Sequence, residues 1–217
     1  MKKLLSNLLA AIGISVSAAQ AAEKVDVNKI LYSMPTISGD VIDYQMPSKE
    51  TFDGAPQFHE DEWCQLEFFT KSRLEEIQSK LSEYKIFESK NRTASGWKEI
   101  YVRNIPRSKI NLDLITLNSL EGAKAEPAPI LTTASRPLGQ VKNGFTVSIG
   151  EGVLLYGIEQ EGQVITLAAT VYSDEGNQEL TKSFMALDAS EKLILVDWRG
   201  QMIIMGGSYG KLGVWKP

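Results

Sequence analysis

Trp63-Cys64-Gln65-Leu66-Glu67-Phe68-Phe69, followed at once by Thr70-Lys71-Ser72-Arg73-Leu74-Glu75, is the stretch on which the fold turns. Cys64, Leu66 and Phe68 alternate with Gln65, Glu67 and Phe69, the period of a half-buried strand with the thiol on its inward face. Ser72-Arg73-Leu74-Glu75 then has the form of a capping box, in which a hydroxyl and a carboxylate satisfy free amide donors at a helix start. Leu74, Ile77, Leu81 and Tyr84 follow at spacings that line one helical face. Glu76 and Lys80 stand one turn apart in the favourable order, and Lys90 and Arg92 suit the negative end of the helix dipole. Gly96 supplies a stop. Trp97 to Ile105 reads as a second strand, with Ile100 and Val102 on one face and Trp97, Glu99 and Tyr101 on the other. Strand, helix, strand is the unit from which the rest is read.

Upstream, residues 22–60 are broken by Pro35, Pro47 and Pro56 and by Gly39 and Gly54, and read as an irregular lead-in. Downstream, Ile110 to Leu117 alternates like another strand. Gly122 to Pro137 is rich in Ala, Pro, Thr and Ser and reads as a linker or long surface loop. Beyond it the period of two prevails. Phe145, Val147 and Ile149 alternate, and Val153 to Glu159 and Gln163 to Tyr172 form a hairpin about a Gln-Glu-Gly turn. Asp174-Glu175-Gly176-Asn177 reads as a turn, Glu179 to Leu187 as a strand, and Leu193 to Met205 as a hairpin about Arg199-Gly200. The expected class is α+β: a unit over 61–121 with a helix on a small sheet, then an antiparallel β-rich unit over 138–217, of sandwich or small-barrel type. Long structureless loops inside compact domains are uncommon, so 122–137 is expected to separate two units.

The first residues carry an address. Lys2 and Lys3 precede a mostly apolar run from Leu4 to Val16, and Ala19-Gln20-Ala21 has the small-x-small form that signal peptidase accepts. Residues 1–21 are therefore expected to be a signal peptide, cleaved after Ala21, and the run is too short to span a bilayer. The expected location is periplasmic or secreted. Losing the two lysines moves the formal net charge from −4 to −6. So acidic a chain is poorly suited to nucleic acid or an anionic membrane surface, and no later run is long enough for stable membrane insertion.

Cys64 is the sole cysteine and His59 the sole histidine, so an internal disulfide is impossible and most catalytic and metal designs fall away. His59-Glu60-Asp61-Glu62-Trp63-Cys64 gathers possible metal ligands, but the spacing fits no zinc pattern. A Cys64–His59 nucleophile pair would need a tight turn to bring the two groups together. No serine lies in a Gly-x-Ser-x-Gly elbow. Carboxylate pairs remain for glycan chemistry, and Asp174, Glu175, Asp188, Glu191 and Asp197 are available, though acids in hairpins are chiefly turn formers. Gly206 to Gly210 is a glycine-rich loop that opens no helix, and so reads as a turn rather than a phosphate cradle.

No catalytic, cofactor or metal residue is assigned on these grounds. Trp97, Glu99, Tyr101 and Arg103 mix aromatic and charged groups on one strand face, as an exposed protein-contact surface would. The expectation is an exported, non-catalytic protein that binds another protein in the bacterial envelope. It would be an accessory part of a secretion or conjugation assembly, or an immunity protein against a periplasmic toxin. The alternative is a protein that binds cell-wall or extracellular glycan, or hydrolyses it through carboxylates.

Overall fold

β4, Leu66–Thr70, forms where the alternation places it, and its neighbours define the molecule. In the computed structural model, which describes residues 31–207 and 211–217, β4 is flanked by β13 (Gln163–Val171) and β14 (Leu193–Asp197), both antiparallel to it. Outward from β14 come β15 (Met202–Gly206) and β16 (Leu212–Trp215). Outward from β13 come β12 (Val153–Gln160), β11 (Gly144–Ile149) and β8 (Ala123–Glu126). The result is one antiparallel sheet of 8 strands, and the protein is α+β and β-rich. The signal-peptide segment 1–21 and the first part of the lead-in lie outside the described residues, as do 208–210 of the glycine-rich loop.

A strand from the first expected unit thus completes the sheet of the second, and the segment between them is no linker. β8 and β9 (Ile130–Thr132) both form within 122–137. Ala123 and Ala125 alternate with Lys124 and Glu126, a polar edge strand, while Ile130 and Leu131 are fully buried. The Pro and Thr that surround them mimic linker composition.

One sheet face packs on α4, Asp174–Glu191, where the sequence reading expects a turn and a strand. The helix starts on Ser173, whose hydroxyl accepts from the Gly176 amide at 3.1 Å, with Asp174 and Glu175 in the positive first turn. Leu180, Phe184 and Leu187 fall at helical spacing and bury among Leu155, Leu167 and Leu195. Gly176 is a packing glycine, since a Cβ there would stand 2.5 Å from the Gly152 carbonyl oxygen. Ile110 and Leu112 join the same core, followed by α3 (Leu114–Asn118) in place of the expected strand. Asp113 caps α3 by accepting from Thr116 N at 2.8 Å.

The opposite face carries two separate layers. At one end α2, Leu74–Asn91, lays Ile77, Leu81 and Tyr84 on Phe69, Ile194, Val196 and Trp198, the helical face read from the sequence. Its entry differs: a 3₁₀ turn over Lys71–Arg73 leads in, no side chain caps it, and Ser72 meets Thr70 Oγ1 at 3.0 Å instead. In its first turns the ion pairs are Arg73–Glu76 and Lys80–Glu83, in place of the expected Glu76–Lys80 pair. At the other end sits a four-stranded sheet of β2 (Tyr44–Gln45), β10 (Pro137–Val141), β9 and β3 (Gln57–His59). It packs Leu131 and Val141 on Trp63, Cys64, Tyr156 and Ala168. β3 follows α1 (Lys49–Gly54), so part of the irregular lead-in is regular structure. Between the two layers runs a seam, and Glu67 of β4 faces into it.

Candidate functional site

The seam holds a network of buried charge. Glu67 is 1% exposed. Its Oε2 accepts from the Trp198 indole at 3.0 Å, and its Oε1 accepts from Arg107 Nη1. Arg107 turns its remaining edge to Asp40, with Nε donating to Oδ1 at 2.7 Å and Nη2 to Oδ2; Trp63 Nε1 donates to the same Oδ2 at 3.0 Å. Beside it Arg103, 3% exposed, donates to Thr36 Oγ1 at 3.0 Å and to the Cys64 carbonyl at 2.9 Å. Its guanidinium lies 5.1 Å from the centre of the Trp198 ring. Two guanidinium groups face two carboxylates, so the net charge of the seam is zero.

Burial alone would raise the Asp40 pKa, but hydrogen bonds and charge from Arg107 outweigh it and hold the carboxyl below its ordinary value. Burial pulls Arg103 down. In Arg107 burial is again the largest single influence, but the charge of Glu67 and the charge and hydrogen bonds of Asp40 together outweigh it and raise the pKa. With both oxygens of each carboxylate engaged, neither acid is free to move a proton for a substrate. The network is a clamp: it ties the 36–40 segment, β4, and the segment holding Arg103 and Arg107 to Trp198, and so fixes the turn that follows Trp198.

That turn builds the rim of a cleft. Asp197 Oδ1 accepts from Gly200 N at 2.7 Å, which closes the β14–β15 hairpin and sends Arg199 outward. Arg199 Nη2 donates to Glu62 Oε1 at 2.7 Å and contacts Met34 Sδ at 3.2 Å. Across from it the last turns of α2 present Glu88 and Arg92. Glu88 Oε1 accepts from Arg92 Nη1 at 3.0 Å and Oε2 from Gln201 Nε2 at 2.6 Å, with Lys85 Nζ at 3.6 Å. Burial works to raise the Glu88 pKa, but Gln201, Lys85 and Arg92 together lower it. The space between, about 460 Å³, is lined by Ser33, Met34, Pro35, Glu62, Tyr84, Glu88, Arg92, Trp97 and Arg199. Tyr84 forms part of its buried wall, stacked on Tyr101 at 5.0 Å, and its hydroxyl is pushed up to about 12 by burial and then by Glu88.

The expected contact surface is divided by this arrangement. Residues 98–100 break the strand into β6 (Gly96–Trp97), which pairs with β5 (Arg92–Thr93), and β7 (Tyr101–Arg103). β7 pairs in parallel with β1 (Thr36–Ser38) and shows the opposite face to the one expected: Val102 is 44% exposed, whereas Tyr101 packs on Tyr84 and Phe87. A shift of one residue inverts every side chain of a strand. Arg103 is therefore in the clamp and Glu99 is in solvent. Trp97 lines the cleft, and its indole Nε1 has no hydrogen-bond partner among the described residues. The chain matches no known protein family, no curated protein and no solved structure. Its site is described by its own geometry alone.

The remaining candidates do not converge. Cys64 sits in a turn at φ 56°, fully buried, rather than on the strand. Burial and then the Glu67 charge push its thiol well above the ordinary range, which leaves it unreactive. His59 Nδ1 accepts from Asp61 N at 3.2 Å as a local cap. Among the described residues no group of three or more His, Cys, Asp or Glu is placed to hold a metal ion. Asp174, Glu175, Asp188 and Glu191 lie on α4, and Asp197 closes the hairpin turn. The residues that make the cleft, Glu62, Glu88, Arg92 and Arg199, belong to three distant segments. No local motif announces them.

Proposed function

We propose that the chain is an exported, non-catalytic protein of the bacterial envelope that binds another protein through the cleft between α2 and the β14–β15 turn. The observation that carries this reading is the composition of that cleft. Ion-paired Arg92 and Arg199 stand opposite Glu62 and Glu88 around Trp97, Met34 and Pro35, a mixture of aromatic, apolar and paired charged groups that suits a protein partner. The clamp beneath holds the rim in place without a partner, so little ordering is needed on binding. The process served is an envelope assembly of the secretion or conjugation type, or immunity to a periplasmic toxin.

Affinity purification of the tagged mature protein from crosslinked envelopes, read by mass spectrometry, tests the proposal. One dominant partner, lost on Arg199→Glu, is the expected result. A blank, with the protein retained on isolated peptidoglycan, favours the glycan alternative. That alternative draws on one observation, the presence of Glu62 and Glu88 in one cleft with Trp97 and Tyr84. Both acids are held by arginine, which counts against their acting as an acid–base pair.

A further inference from the structure

Beside the cleft, past Glu88, lies a second depression of about 250 Å³ in which Lys85, Arg92, Arg199 and Lys216 surround the side-chain carboxylate of Glu88, with Pro217 at its edge. Four cationic side chains on one small patch of an acidic chain are a strong local departure from the whole. At physiological salt the Debye length is about 8 Å, so a bound group senses these four and little of the distant negative charge. Glu88 neutralises part of the field through Lys85 and Arg92, and Glu62 holds one nitrogen of Arg199. The other nitrogens of Arg92 and Arg199, and the Lys216 ammonium, make no hydrogen bond within the described residues. Gln201 closes the floor. It is 7% exposed, held at φ 50°, and donates from its amide nitrogen to Glu88, while its Oε1 accepts no hydrogen bond among the described residues.

We infer that this basic depression receives carboxylate side chains from an acidic segment of the protein partner. The inference rests on the protein-binding reading above and names the chemistry of the partner. A carboxylate suits the depression because the same cations already hold one, that of Glu88, and the charge of an acidic segment complements the surplus of cations. Planar guanidinium groups suit carboxylate geometry.

The test titrates the purified mature protein with a short polyglutamate peptide, with a polylysine peptide of equal length and with inorganic phosphate, by calorimetry. The polyglutamate is expected to bind alone. Its affinity should fall by roughly tenfold or more in an Arg92→Gln/Lys216→Gln double variant and also on raising salt from about 50 to about 300 mM. Lys124→Gln, on the far sheet edge, should leave it unchanged. Arg92 and Lys216 are exposed, so an unaltered melting temperature will show that the variant folds. No polyglutamate binding, equal binding by the double variant, or binding of phosphate alone overturns the inference. Crosslinked capture separates it from the reading beneath. A partner retained by wild type and lost by Arg92→Glu/Lys216→Glu supports the depression as its seat. A partner retained by both overturns the depression and leaves protein binding standing. A blank from both overturns protein binding itself.

Discussion

Glu67 has no spare oxygen: one serves Arg107 and the other Trp198. Removing one member of a buried charged set leaves the others uncompensated, which costs more than the set contributes when intact. Glu67→Ala is therefore expected to destabilise the protein by about 3–5 kcal/mol in urea titration, and the loss should be accompanied by a change in Trp198 fluorescence. Asp40 governs the response to acid. Its folded-state pKa lies below the ordinary 3.8, so the unfolded chain takes up the proton more readily. The stabilisation is complete above that ordinary value and is lost as pH falls through the lower, folded-state one. Melting temperatures measured from pH 7 down to pH 3 should show this loss. Asp40→Asn should start lower at pH 7 and give a shallower acid limb. An unchanged limb would show that other carboxylates control it.

Among the elements, α4 depends on its first turn. Ser173→Ala removes the hydroxyl that satisfies Gly176 N, and a loss of about 1 kcal/mol is expected by thermal or urea unfolding. This helix was also the element least legible in the sequence. Ser173 lies just before a Gly-Asn pair that looks like a hairpin turn, and only Leu180, Phe184 and Leu187 betray the helical period. α2 was legible because Ile77, Leu81 and Tyr84 form an unbroken stripe. β7 was visible as a strand but inverted, because Tyr101 and Arg103 face inward through partners, Tyr84 and the Cys64 carbonyl, that no local pattern reveals. The same limit applied to the cleft. Trp97 stood out by its side chain, but Glu62 and Arg199 meet across 137 residues, and pairing at such a separation leaves no trace in spacing.

At the scale of the molecule, the position of β4 decides how the chain coheres. With β4 between β13 and β14, the two strand-rich halves cannot be separated without opening the sheet at its middle. Residues 138–217 expressed alone should show no cooperative denaturant transition, because β13 and β14 would face each other across a missing strand and lose Phe68 and Phe69 from their cores. A cooperative transition in that fragment would establish an autonomous second unit. The clamp has a further consequence, in time rather than in space. Glu67 meets Trp198 across 131 residues, so the hydrogen bond that seals the seam forms only when nearly all of the chain is present. A polypeptide delivered amino end first, whether from a ribosome or through a narrow conduit, holds β4 unpaired until β13 arrives at Gln163 and half-paired until β14 arrives at Leu193. The order of the strands delays closure of the central sheet, and the seam locks only once Trp198 is in place.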